Sequence, residues 1–150
     1  MEVNFSLKDK FYSAEHNQPI HFIFDITDHE FIESEYVKIL WLVIEKSGCK
    51  SVRIRSFKDY RGRYSEKTRL KISGNLPLLN LISGMELDKE SALEIVLRMS
   101  FRKLISVNLD LCDKLEIRTF DDGIGAIIIS KNEAKMDINE ISNFFEFKLI

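Results

Sequence analysis

The sequence is poor in chain-breaking residues, with two prolines and six glycines among 150 residues. So few glycines exclude a collagen-like chain, and abundant Ile, Leu, Val and Phe exclude a mainly disordered one. The longest apolar run, Ile39–Ile44, is far shorter than the roughly 20 residues that a membrane-spanning helix needs. Hydrophobic residues make up 45% and charged residues 31%, which is typical of a soluble globular protein. The length predicts a single domain spanning residues 1–150.

Cysteine is also scarce, with two residues in the chain, and whether they pair depends on the cellular compartment. The N-terminus, MEVNFSLKDKF, lacks the pattern of a signal peptide, so we expect a cytoplasmic protein without a membrane partner. The spacing of Cys49 and Cys112 does not exclude a disulfide, but a reducing cytoplasm favours two free thiols. With only these cysteines and three histidines, the sequence predicts no metal site and no cofactor.

The first half of the chain contains the clearest helix signal. Alternating apolar residues predict strands at 2–7 and 20–26. A long helix is predicted from about 28 to 47, where apolar residues follow helical spacing. Thr27, with Glu30 three residues later, fits a capping box at its start.

The middle of the chain suggests a basic β-hairpin. Residues 51–57 and 67–73 both alternate between apolar and basic side chains, and a charged stretch containing Gly62 separates them. A short helix is predicted after it, between Asn75 and Gly84. Residues 88–104 fit a helix or a strand, and their length favours the helix.

The last third predicts strands at 105–111, 115–120 and 124–130. A short C-terminal helix is predicted to start at Asp137 and to pack through Ile141, Phe144 and Phe145. These elements together predict an α+β fold. The expected fold has a mostly antiparallel sheet, a long helix after the second strand, the basic hairpin and the C-terminal helix.

Charge is unevenly distributed along the chain. Residues 50–71 contain nine basic and two acidic residues, so this segment carries +7 and the remainder −9. In one interpretation the bases form the solvated face of an ordinary hairpin and pair with the acidic remainder. In the other they bind a partner, because Arg and Tyr are enriched at binding hot spots. The candidate contact residues on the hairpin are Arg53, Arg55, Tyr60, Arg61, Arg63, Tyr64 and Arg69.

Two further motifs bear on possible chemistry. Asp121–Gly125 spell D-x-G-x-G, which resembles the ATP-contacting box of the GHKL ATPases. That family also has an Asn-bearing helix farther upstream and a glycine-rich lid, which this sequence lacks, so a hairpin turn explains these residues better. His21 lies in a predicted strand and His29 at the start of a predicted helix. We therefore do not expect the two side chains to come together in a metal site.

The sequence therefore leaves three functional hypotheses open. The first is a non-enzymatic protein-binding module, such as an immunity protein that neutralises a toxin, with Glu30, Glu33 and Glu35 as a second contact patch. The second is an RNA- or DNA-binding domain that uses the basic hairpin, although its acidic remainder would repel phosphates. The third is an uncharacterised nuclease-like enzyme that uses His16.

Overall fold

A computed structural model describes residues 1–12, 26, 28–131 and 142–149 of the chain. These residues form one seven-stranded antiparallel sheet and three α-helices, so the predicted α+β fold with a mainly antiparallel sheet is confirmed. None of the described helices is long and apolar enough to cross a membrane.

The strands are β1 (Glu2–Leu7), β2 (Val52–Asp59), β3 (Glu86–Leu87), β4 (Ile105–Leu111), β5 (Leu115–Thr119), β6 (Gly125–Ser130) and β7 (Phe145–Leu149). The helices are α1 (His29–Lys46), α2 (Glu66–Ser73) and α3 (Ala92–Phe101). In the sheet the strands follow the order β3-β2-β4-β5-β6-β1-β7. Because the sheet ends in β3 on one side, β2 lies next to a very short edge strand.

The core lies between one face of the sheet and the helices α1 and α3. Strand residues alternate between the two faces, so the apolar set of each strand turns towards the helices. Tyr36 of α1 is fully buried, with its ring 5.9 Å from Phe5 of β1 and 5.4 Å from Phe101 of α3. Its hydroxyl shares a 2.9 Å hydrogen bond with Ser100, which satisfies the polar atom inside the core.

The helix α1 occupies the region where the sequence predicts a long helix, but its start differs from the capping-box prediction. The N-cap is Asp28, whose backbone is left-handed and whose side chain makes no capping hydrogen bond. Thr27 lies outside the described residues. The strand predicted at 20–26 also lies outside them except for Ile26, which pairs with Tyr12 in an isolated bridge.

The predicted basic hairpin is wrong. Its first strand corresponds to β2, but residues 66–73 form the helix α2. Ser65 caps α2 by accepting a hydrogen bond from the Thr68 amide, and left-handed Gly74 ends it. Local capping therefore overrides the two-residue alternation of this short segment.

Two predicted helices are absent from the described residues, and one ambiguous segment is resolved. Residues 76–82 have no regular structure, although a short helix was predicted there. The predicted C-terminal helix is replaced at Phe145 by β7, and its expected start at Asp137 and Ile141 lies outside the described residues. Residues 88–104 contain α3, the favoured alternative.

The two cysteines form a disulfide, so the preference for free thiols is wrong. The bond joins Cys49, three residues before β2, to Cys112 in the turn between β4 and β5. It closes a covalent loop with a sequence separation of 63, which contains α2 and α3. The fold brings the cysteines together because Val52 of β2 pairs with Leu111 of β4.

Candidate functional site

The arginines predicted on the first hairpin strand lie on the face of the sheet opposite to α1 and α3. Arg53 alternates with buried core residues of β2, and its side chain is 3.8 Å from Glu86. Arg55 contacts the nearly buried carboxylate of Glu116 at 3.3 Å, and Arg118 contacts it at 2.8 Å. These hydrogen-bonding cations lower the pKa of Glu116, chiefly through Arg118. The cations of this face are therefore balanced by carboxylates of the same chain.

A second group of polar side chains ties β2 and β4 to the turn that follows β5. Asp121 accepts hydrogen bonds of 2.7 Å from both Tyr60 and Ser106, and one of 2.9 Å from Lys58. These bonds, that of Tyr60 above all, lower the pKa of Asp121 to about 2. The Asp121 carboxylate is therefore held by hydrogen bonds from three side chains of the same chain. Tyr60, predicted to contact a partner, is instead buried in this group.

The glycines of the D-x-G-x-G motif have a backbone explanation. Gly123 is left-handed at φ +77°. Gly125, at φ +156°, packs so closely that a Cβ atom would lie 2.2 Å from the carbonyl oxygen of Phe5. Both positions therefore require glycine for the turn itself, and Asp121 is already engaged within the chain.

Lys103 is a buried lysine that no pattern in the sequence singles out. Its ammonium group donates a 2.7 Å hydrogen bond to the carbonyl oxygen of Phe120. Burial lowers its pKa to about 8, and the nearby carboxylates of Asp122 and Asp121 partly oppose this shift. Because its side chain is enclosed in the protein, we assign Lys103 to holding the turn after β5.

The predicted contact residues between β2 and α2 differ in how they are held. Asp59 accepts three hydrogen bonds from the Arg61 guanidinium, of which the shortest is 2.6 Å. Arg63 lies over the ring of Tyr60 at 4.6 Å, in cation–π geometry. Tyr64 is half-buried and donates a 2.9 Å hydrogen bond to the carbonyl oxygen of Lys103. Of the predicted contact residues Arg61, Arg63 and Tyr64, only Arg63 is exposed.

The helix α2 presents a face that is both basic and apolar. Lys67, Leu70 and Lys71 are exposed and follow helical spacing, so they share one side of α2. Leu70 is 63% exposed, which is unusual for a leucine in a helix that packs on a core. Ile72 is buried on the opposite side, and Arg69, another predicted contact residue, is partly buried.

The chain after α2 doubles back along the helix. It leaves α2 at Gly74, and five residues later the carbonyl oxygen of Leu79 accepts a 3.4 Å hydrogen bond from Arg61, which precedes the helix. Leu78 and Ile82 of this segment are 37% and 70% exposed. The segment therefore passes close to Arg61, and two of its apolar side chains are exposed.

We call this region the α2 surface. It consists of Arg63, Lys67, Leu70, Lys71, Leu78 and Ile82. Among the described residues, six large hydrophobic side chains are exposed, and three of the six belong to this surface. These three are not predicted from the sequence, although the segment LPLLNLI, with more apolar residues than a loop usually needs, is a visible signal for Leu78 and Ile82.

The helix α2 is held firmly although it is short. Arg102 of α3 donates hydrogen bonds to the carbonyl oxygens of Ile72 and Ser73 at 3.3 and 2.8 Å, which caps the C-terminal end of α2. The same guanidinium binds Glu33 of α1. The α2 surface is therefore anchored to both core helices.

The three glutamates predicted as a second contact patch do not form one. Glu33 is buried and paired with Arg98 and Arg102, so it serves helix packing. Glu35 accepts a hydrogen bond from Ser142, and Glu30 is exposed in the first turn of α1. Of the described His, Cys, Asp and Glu residues, no three are grouped so that they could hold a metal ion.

The comparisons with known proteins do not assign this chain to a family. No protein-family model matches it, and no curated protein or solved structure is significantly similar to it.

Proposed function

We propose that the protein is a protein-binding domain that acts as a small inhibitor, such as an immunity protein that neutralises a toxin. The α2 surface is its contact region. The observation that carries this proposal is the concentration of exposed Leu70, Leu78 and Ile82 on one anchored segment. Exposed apolar side chains that are grouped together are typical of interaction sites, whereas single ones are common on any surface.

The charge around these apolar residues indicates the kind of partner. The segment 61–71 contains five basic residues and one acidic residue. An acidic protein surface with apolar side chains at its centre would complement both features of the α2 surface. Nucleic acid would use the cations but would leave the exposed leucine and isoleucine side chains without apolar contacts.

The rigidity of the surface supports an inhibitory role. Binding costs less entropy when the contact residues are already held in place. Arg63 is stacked on Tyr60, and α2 is capped at one end by Ser65 and at the other by Arg102. A preformed surface of this kind suits an inhibitor that blocks a partner by occupying its site.

The proposal is tested by comparing immobilised wild-type protein with two double variants in extracts of the native host. Leu70→Ser/Ile82→Ser removes apolar contacts, and Lys67→Glu/Lys71→Glu reverses charge. We expect each to weaken capture of the same protein by at least about tenfold, as for hot-spot residues. Purified toxin candidates then test whether that protein is inhibited.

Matched controls change equivalent residues elsewhere. Phe31→Ser removes a side chain that is 71% exposed on α1, and Lys38→Glu/Lys114→Glu makes the same charge change away from the α2 surface. Proteins retained equally by all variants would contradict the assigned surface. Retention of nuclease-sensitive nucleic acid alone would contradict the protein-binding function.

A further inference from the structure

The disulfide lies at the start of β2, close to the β3 edge of the sheet. Cys49 is three residues from β2, and β3 pairs with β2 only at Val52 and Arg53. Just before β3, the amide of Gly84 donates a 2.7 Å hydrogen bond to the carbonyl oxygen of Ile54. The start of β2 therefore holds both β3 and the end of the segment that contains Ile82.

The two cysteines of the disulfide differ in accessibility. Cys112 is exposed in the turn between β4 and β5, whereas Cys49 is 4% exposed. Cys112 and Asp113 are both left-handed, with φ of 55° and 58°, a conformation that aspartate adopts more readily than cysteine. Lys89, two residues after β3, donates a hydrogen bond to the carbonyl oxygen of Cys49, which ties the end of β3 to the disulfide.

From these observations we propose that the Cys49–Cys112 disulfide is a redox-sensitive clamp, whose reduction selectively loosens the β2–β3 edge of the sheet. The strand ladder at this edge is short, because β3 has only two residues and pairs with β2 at two positions. The structural effect stands on its own, and the consequence for binding rests on the proposed function of the α2 surface.

The chemical step is thiol–disulfide exchange with a dithiol reductant. A reductant thiolate attacks the accessible sulfur of Cys112, the disulfide bond breaks, and the sulfur of Cys49 leaves as a thiolate. The second reductant thiolate then attacks the mixed disulfide and releases Cys112. The protein disulfide gains two electrons and two protons, and the reductant becomes a disulfide.

Hydrogen exchange followed by NMR tests the clamp on the wild-type protein, oxidised and then reduced with excess dithiothreitol. We expect the amides of Ile54 and Gly84 to exchange at least about tenfold faster after reduction, since local opening becomes easier at this edge. Over the same times, amides of β1 and β6 should keep their rates. Unchanged rates at Ile54 and Gly84 would overturn the proposal, as would equal acceleration throughout the sheet.

A matched pair of single variants tests the site of attack. Cys49→Ser leaves Cys112, which should form a mixed disulfide with oxidised glutathione at least about tenfold faster than Cys49 does in Cys112→Ser. Equal rates in the two folded variants would overturn the assignment. Mapping the glutathione adduct on partly reduced wild-type protein gives the same answer if either variant fails to fold.

The binding consequence is measured separately. If the α2 surface binds a partner, reduction should weaken that complex in wild-type protein but not in a Cys49→Ser/Cys112→Ser variant. Faster exchange at Ile54 without any partner would contradict the proposed function while leaving the clamp supported. If a partner bound the oxidised and the reduced protein equally, only the proposed link between the disulfide and partner binding would be contradicted.

Discussion

Arg102 and Glu33 form a two-point ion pair that joins α3 to α1. The Nε and NH2 atoms of Arg102 donate to the two carboxylate oxygens of Glu33 at 2.6 and 3.0 Å. The remaining guanidinium nitrogen of Arg102 donates to the last carbonyl oxygens of α2. One side chain therefore fixes three helices, and Glu33 is stabilised as a buried carboxylate only while its cations remain.

Removing this arginine should destabilise the fold. We expect Arg102→Leu to lower the free energy of unfolding by about 3 kcal/mol, because Glu33 then keeps only Arg98 as an ionic partner. Urea denaturation measures the change. Glu94→Gln is the control: it removes the exposed partner of Arg98 and should cost no more than about 0.5 kcal/mol. Similar effects of the two substitutions would contradict the structural role of Arg102.

Lys103 should make stability depend on alkaline pH. Below pH 8 the amine is protonated in both states, so the cost of burying its charge is fully present. As pH rises from about 8 towards its ordinary pKa of 10.5, the native state loses the proton first and the cost disappears. The free energy of unfolding of the wild type should therefore rise by about 2 kcal/mol relative to Lys103→Met between pH 7 and 10.

Lys114→Met provides the comparison for this pH experiment, since Lys114 is exposed in the turn between β4 and β5. Denaturation of both variants and the wild type is measured across the same pH range. A difference between the wild type and Lys103→Met that stays constant with pH would show that the burial of Lys103 does not shift its proton equilibrium.

Gly125→Ala should be the most damaging of the small substitutions considered. The new Cβ atom would meet the backbone oxygen of Phe5, which cannot move without disturbing β1. We expect a loss of at least about 3 kcal/mol, since backbone strain adds to the clash. Gly62→Ala is the matched control, because no atom lies within 4 Å of its added Cβ. Comparable melting temperatures for the two variants would refute the close-packing argument.

Ser65→Ala should weaken α2 without affecting the core. Loss of the hydrogen bond from the Thr68 amide is expected to cost about 1 kcal/mol. Hydrogen exchange within α2 should accelerate more than exchange in α1. Thr68→Ala keeps the capping oxygen of Ser65, so it should change stability by less than about 0.5 kcal/mol. Equal effects would show that Ser65 is not the effective cap.

Sequence periodicity predicts this fold well where an element is long or has a consistent face. Strands β1, β4 and β5 lie in the predicted regions because their apolar residues repeat every two positions over a buried sheet face, and β6 lies where a continuous apolar run predicts a strand. Near the C-terminus the same repeat is visible in Phe145, Phe147 and Leu149. The prediction of a C-terminal helix instead follows the helical spacing of Ile141, Phe144 and Phe145. That prediction is wrong at Phe145, where β7 begins.

The segment predicted as a basic hairpin shows why the structure of short segments is harder to predict from sequence. Leu70 and Ile72 are two residues apart, so a strand would bury both on one face. In α2 they point in different directions, and only Ile72 is buried. The cap at Ser65 and the left-handed Gly74 were the local signals for a helix. The candidate site depends on this difference, since Leu70 becomes a contact residue only when it faces outward.

The shortness of β3 has a consequence for the behaviour of the protein at high concentration. An outermost strand of two residues offers few backbone groups to a strand of another molecule. The segment before β3 is held at Leu79 by Arg61 and at Gly84 by Ile54, so it runs near the rest of β2. This segment hinders the approach of another strand from that side. This margin of the sheet should therefore resist the stacking of molecules into fibrils, even though it carries exposed leucine and isoleucine side chains.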